Sequence, residues 1–197
     1  MTRSPSPVLR PARVLATAAA VALLAACGST PEPKPEAPPA AAPVSTAQAG
    51  EVILTAASAS LVSGRLNLRP GADGVYLGGE IGGLTPGGLH AIHIHETGDC
   101  SAVDASSAGG HFNPAGNPHG RVGQGPHHGG DMDNINANGE GVAQVNVHAE
   151  GVTLGGGAFN DVDGRAVIVH AAADDYTSQP SGNAGKRVAC GVIRVTR

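Results

Sequence analysis

Nine histidines occur in this 197-residue chain, and the spacing of most of them suits metal ligation. His93 and His95 lie in the run Leu89-His90-Ala91-Ile92-His93-Ile94-His95. Side chains alternate between the faces of a strand, so Ile92 and Ile94 are expected in a core and the two histidines together on the other side. Two adjacent imidazoles supply half of a metal site. Further on, His111, His119, His128 and Asp131 offer three imidazoles and one carboxylate, the donor set of a closed tetrahedral zinc site. His170 ends the apolar run Ala166-Val167-Ile168-Val169, and with His93 and His95 it could form the imidazole-rich set that copper occupies in tetragonal geometry. The plainer alternatives are a polar strand face, an ordinary strand-end histidine and a solvated His-rich loop.

Such residues, far apart in sequence, need a frame to bring them together. The chain is 41% hydrophobic and 14% charged, with 30 glycines and 15 prolines in no collagen-like period. It has no Trp, two Phe and two Tyr, so its core must come from Val, Ile, Leu and Ala. That composition favours an all-β fold. Strands are expected near Glu51–Ser58, Leu61–Leu68, Val75–Ile81, Leu89–His95, Gly141–His148, Val152–Leu154, Arg165–His170 and Val188–Val195. Eight short strands with Pro-Gly turn chemistry between them predict a Greek-key β-sandwich or flattened barrel with two long functional loops. The first long connection, Glu96–Glu140, carries His111, His119, His127 and His128 and hardly any apolar residue; the second is Ala171–Arg187. A polar loop of that length needs an internal fastener, and a metal ion would serve.

The N-terminus reads as an export signal over residues 1–26. Arg3, Arg10 and Arg13 precede an apolar run from Val14 to Ala26 that is short for a membrane span. The run ends in Leu24-Ala25-Ala26-Cys27, which is similar to the bacterial lipobox, so Cys27 is the expected lipidation site and would anchor the chain to a membrane. Residues 27–50, rich in Pro and Ala, form an expected tether to a domain over 51–197. Cleavage before Cys27 lowers Lys+Arg from 12 to 9 against 16 Asp+Glu, a net charge of −7. That charge argues against nucleic acid as a partner. Cys100 and Cys190 then remain, and in oxidising surroundings they allow one disulfide; two free buried thiols are the alternative.

Several spaced motifs carry a family resemblance: His93-Ile94-His95-Glu96, Gly109-Gly110-His111-Phe112-Asn113-Pro114, His128-Gly129-Gly130-Asp131, His170 with Asp174-Asp175, and the run from Gly182-Asn183-Ala184-Gly185-Lys186-Arg187 to Val188-Ala189-Cys190-Gly191-Val192-Ile193. In order and spacing they resemble the signatures of copper/zinc superoxide dismutases, over approximately Glu51–Arg197. The resemblance implies copper on His93, His95, His111 and His170, and zinc on His111, His119, His128 and Asp131. His111, deprotonated, would bridge the two ions. Spacing within the family pattern selects His128 over His127 and Asp131 over Asp133. Asp174 resembles the carboxylate that links a copper histidine to a zinc histidine, here His93 and His119.

The implied activity is conversion of two superoxide anions and two protons to oxygen and hydrogen peroxide, with copper cycling between Cu(II) and Cu(I). Arg187 resembles the arginine that attracts and docks the anion, and His111 would pass a proton to the product. His90 and His148 match no ligand position and are read as a structural hydrogen-bonding residue and a strand surface residue. The loop from Cys100 to His111 is longer, and the final loop shorter, than in eukaryotic members, as in bacterial ones. A homodimer is compatible with the resemblance, and the leader places the protein in the cell envelope. The rival readings are an exported metal carrier without turnover and a structural envelope lipoprotein.

Overall fold

The computed structural model describes residues 42–196. The leader, Cys27 and the tether up to residue 41 lie outside the described residues. The strands are β1 (Ala49–Ala56), β2 (Ser63–Pro70), β3 (Gly74–Gly82), β4 (Leu89–His90), β5 (Ile92–His95), β6 (Ile135–Asn136), β7 (Ala143–Glu150), β8 (Ala166–His170), β9 (Arg187–Val192) and β10 (Arg194–Thr196). The one helical turn among the described residues is a 3-10 turn at Ser106–Ala108.

Eight strands form one antiparallel sheet in the order β5-β8-β9-β1-β2-β3-β7, with β10 also paired to β1. Strands remote in sequence are neighbours, β5 beside β8 and β9 beside β1, which is the connectivity of Greek keys. Alternation explains the faces. Val52 and Leu54 of β1, Leu66 and Leu68 of β2, Val75 and Leu77 of β3, and Val145 and Val147 of β7 point inward, while Ile53 is exposed. Ile92 and Ile94, on one edge strand, share a single core cluster with Val145 and Val147 on the other. The sheet must therefore curl so that its two edges approach each other. A second ribbon, β4 with β6, helps to close that gap, because β4 leads through Ala91 into β5 and β6 leads towards β7.

The expected all-β fold is found, with local differences. Val152–Leu154 is not a strand. Its Val152 and Leu154 are buried, but its backbone pairs irregularly: Thr46 and Ala47 N–H donate to the Leu154 carbonyl at 3.1 and 3.0 Å, and Thr153 bridges to Asp161. Regular pairing starts before Glu51, since β1 begins at Ala49. The expected strand Leu89–His95 is divided at Ala91, whose N–H donates to Ala172 and whose carbonyl accepts from His170, each at 2.9 Å. The long connection also contains β6, two residues that sequence alternation is too short to mark.

Candidate metal centre

All four residues of β5 are buried. The isoleucines enter the core, and the histidines are covered from the other side by the two long loops, so burial here replaces simple alternation of wet and dry faces. β8 pairs antiparallel with β5, His93 opposite Ile168 and Ile92 opposite Val169. Alternation along β8 puts His170 on the same face as Ile168, and so on the side of the β5 histidines, while a register shift between Val169 and His170 interrupts the pairing of β8 with β9. The His170 backbone is held by Ala91, and His90 Nδ1 donates to its carbonyl at 2.9 Å. His111 is brought alongside by an antiparallel bridge to His95 and by Phe112 N–H donating to the Ile94 carbonyl at 2.8 Å. Gly130 completes this crossing: a Cβ there would lie 2.1 Å from the Ile94 carbonyl oxygen, so only glycine lets the loop come so close.

His93, His95, His111 and His170 form one buried set. The centroids of His93 and His111 are 4.0 Å apart, those of His95 and His111 5.0 Å, and those of His93 and His170 5.0 Å. In each ring one nitrogen is occupied elsewhere. His93 Nε2 meets Asp174 Oδ2 at 2.9 Å, His95 Nδ1 donates to the Gly109 carbonyl at 3.0 Å, and His170 Nδ1 faces the Gly185 carbonyl at 3.4 Å. The other nitrogen, His93 Nδ1 or Nε2 of His95, His111 and His170, is buried and has no hydrogen-bond partner. Four converging buried lone pairs are costly unless a cation gathers them. Burial pushes His93 down to about 4, His95 to about 2 and His170 to about 3, so these rings are neutral ligands at physiological pH. The donors fit copper: imidazole nitrogens only, converging on one another.

The second set is built from the other nitrogen of the same His111. Its Nδ1 lies 2.8 Å from Asp131 Oδ1, as His119 Nδ1 does at 3.0 Å and His128 Nδ1 at 3.4 Å; His111 Nδ1 and His128 Nδ1 are 3.4 Å apart. Four ligands about 2.0–2.1 Å from one centre stand about 3.3 Å apart at tetrahedral angles, so these separations fit zinc. Asp131 is fixed through its other oxygen by the N–H groups of His128 at 2.8 Å and Gly120 at 3.1 Å. Burial opposes its ionisation, but His111, His119 and these amides outweigh it and hold the carboxyl far below the usual range. For His119 burial likewise opposes charge, but a carboxylate on each ring nitrogen, Asp131 and Asp174, raises it to about 9.

Asp174 joins the two sets, Oδ2 to His93 Nε2 at 2.9 Å and Oδ1 to His119 Nε2 at 3.0 Å, and is itself buried. Asn134 grips its backbone from both sides: Asp174 N–H donates to Asn134 Oδ1 at 2.8 Å, and Asn134 Nδ2 donates to the Asp174 carbonyl at 2.9 Å. The Tyr176 N–H adds a bond to Asp174 Oδ1 at 2.6 Å.

A cavity of about 490 Å³ opens onto the four-histidine set, walled by His95, His111, His170, Glu96, Asn113 and Arg187. Arg187 donates through Nη1 to the Ala105 carbonyl at 2.7 Å and through Nη2 to that of Gly109 at 2.6 Å. The segment bearing those carbonyls is tied to β9 by a disulfide between Cys100 and Cys190, whose Cα atoms are 5.7 Å apart. Gly109 O also accepts from His95, so one carbonyl orients both the cation and a neighbouring imidazole.

His127, His148 and Asp133 stand apart from both sets, while His90 reaches the backbone carbonyl of His170 as a structural hydrogen-bonding residue. His127 Nε2 is 3.6 Å from Glu150, Asp133 pairs with Arg121 at 2.8 Å, and His148 stacks on Tyr76 at 4.3 Å. Sequence reading did not single out Asn134, Tyr176, Gln179 or the carbonyls of Ala105 and Gly109. Their signals are generic amides and backbone, without ligand chemistry of their own.

Fold and site together define an antiparallel β protein with two adjoining ligand sets that share one imidazole. The sequence comparisons give that class its family. Residues 62–193 match the family model described as copper/zinc superoxide dismutase, and the chain belongs to that family. It is 43% identical over 136 residues to "Superoxide dismutase [Cu-Zn] 2" of Aquifex aeolicus, covering 68% of this chain and 80% of that one. To "Superoxide dismutase [Cu-Zn]" of Caulobacter vibrioides it is 42% identical over 137 residues, covering 67% and 78%. Among solved structures, a SOD-like protein from Bacillus subtilis superposes with a TM-score of 0.65 at 34% identity, covering 72% of this chain and 96% of that one. The clock protein EA4 superposes with a TM-score of 0.67 at 33% identity, covering 78% and 98%.

Proposed function

We propose that this protein is a superoxide dismutase holding copper on His93, His95, His111 and His170 and zinc on His111, His119, His128 and Asp131. The observation that carries the reading is the convergence of four buried, unpartnered imidazole nitrogens beside a carboxylate-anchored set that uses the other side of His111. Copper, when bound, supplies one-electron chemistry in both directions, so that two superoxide anions and two protons become oxygen and hydrogen peroxide. The chain's own groups do the rest. Arg187 is a permanent cation on the cavity wall with donors left over after its two carbonyl bonds, and it draws in and docks the anion. His111 lines the same cavity, and its unpartnered Nε2 is the group placed to hold a proton for the product. Asp174 keeps Nδ1 of both His93 and His119 aimed at its ligand set, because it occupies Nε2 of each ring. The zinc-side set orders the stretch between Phe112 and Met132, which has no side chain in the apolar core.

The test is metal analysis paired with a superoxide-consumption assay on one purified fraction. About one copper and one zinc per chain with rapid consumption is expected. Stoichiometric metal without consumption would make the protein a metal carrier instead.

The leader and Cys27 further support an exported form, lipid-anchored in the cell envelope on a Pro/Ala-rich tether. Cys27→Ser should move the protein from the membrane to the soluble fraction, and an unchanged distribution would remove the anchor.

A further inference from the structure

Between Phe112 and Met132 no described side chain belongs to the buried apolar core. Packing therefore cannot fix the main chain around His119, and hydrogen bonds must do so. The partner comes from the second long loop, sixty residues away. His119 N–H donates to Gln179 Oε1 at 2.9 Å, and Gln179 Nε2 donates to the His119 carbonyl at 2.8 Å. One carboxamide thus satisfies both backbone groups of a residue, as a neighbouring strand would. Backbone N–H can only donate and C=O only accept, which also fixes which way the amide faces.

His119 has four polar groups, and the second loop holds three of them. Gln179 takes the two backbone groups and Asp174 takes Nε2; the fourth, Nδ1, faces Asp131. The turn that delivers Gln179 is itself braced. The Asp175 carboxylate accepts from the N–H groups of Thr177 at 2.9 Å and Ser178 at 2.7 Å, while Gly182 N–H donates to the Ser178 carbonyl at 2.7 Å. It also passes close behind the ligand set. Gly182 has φ +67°, and a Cβ there would fall 1.7 Å from Asp174 Oδ1 and 2.8 Å from His119 Nε2. Asn134 does the converse, gripping the Asp174 backbone from the first loop. Two carboxamides therefore stitch the loops together in opposite directions.

We infer that Gln179 is a positioning residue: it fixes the backbone of His119 so that Nδ1 stays aimed into the zinc-side set and Nε2 stays on Asp174. The inference rests on the proposed reading of His119 as a zinc ligand. Through Asp174 the restraint extends to His93, so loss of Gln179 disturbs both sets.

The test compares wild-type protein with Gln179→Ala and Gln179→Met, the latter keeping the side-chain length without its hydrogen bonds, and with Gln144→Ala as a control, which removes an exposed glutamine of β7 whose side chain bonds only Glu80. Three quantities are measured: the rate of zinc release to an excess of chromogenic chelator, the visible spectrum with Co(II) at the zinc-side set, and thermal unfolding of the metal-free chains. Both Gln179 variants should release zinc roughly ten- to a hundredfold faster and shift the Co(II) bands. Gln144→Ala should match wild type, and the metal-free unfolding temperatures should agree. Wild-type release and spectra in both Gln179 variants, or equally fast release from Gln144→Ala, would overturn the inference. A wild-type protein that takes up neither zinc nor Co(II) would overturn the underlying reading first.

Discussion

An imidazole can serve two ions only if neither ring nitrogen is claimed by another partner and the ring is held from elsewhere. His111 meets both conditions: backbone bonds of its neighbours place it beside β5, Nε2 has no partner, and Nδ1 points at a carboxylate-anchored set. The residues of the two clustered sets were legible in the sequence because few residue types bind such metals and their spacing is distinctive. Gln179 and Asn134 were not, because an amide that grips backbone across a fold has no local pattern to announce it. Two outcomes belong at this scale. Arg187→Ala should lower turnover about ten- to a hundredfold and weaken its dependence on salt, with metal content unchanged; unaltered kinetics would remove Arg187 from the mechanism. Zinc uptake should release a proton from His119. With both ring nitrogens against carboxylates the metal-free ring is held protonated, and zinc must displace the proton on Nδ1. Calorimetry in buffers of different ionisation enthalpy should show this release near pH 7, fading as pH rises through about 9, the value to which the carboxylates lift His119. Release that does not vary with pH would contradict the assignment.

Among the elements, alternation in β1, β2, β3 and β7 made the sheet readable, since one face of each strand is buried and the other wet. It failed where tertiary pairing decided the matter. Val152–Leu154 has a strand's composition but binds the segment ahead of β1, and β6 is two residues long. The segment from Cys100 to Gly109 shows why a loop can count as an element of function. It packs Ala105 and Ala108 into a small cluster with Ile168 and Cys190, and it presents two carbonyls to Arg187. Its disulfide spans ninety residues, so Cys100→Ser should lower unfolding stability by roughly 4 to 5 kcal/mol in the loop-entropy model. Turnover should fall too, because the carbonyls that hold Arg187 lose their tie to β9. Denaturant titration and steady-state rates check both. Full activity in the variant would show that the guanidinium is held well enough without the bridge.

For the molecule as a whole, a formal net charge of −4 does not oppose an anionic substrate. Attraction depends on the local field where Arg187 lines the cavity, and the excess acid elsewhere leaves that field in place. The curled sheet supplies a rigid wall from β5 and β8, and two long loops close over it; between Phe112 and Met132 the first loop has no side chain in the apolar core and depends on the ligand sets and hydrogen bonds. The whole account depends on two different ions sharing one ring. The direct measurement is a crystal of the copper- and zinc-loaded protein, with anomalous scattering recorded at the absorption edge of each metal. Copper should lie at Nε2 of His111 and zinc at Nδ1 of the same ring. A single peak, or two peaks with His111 bound to neither ion, would contradict it.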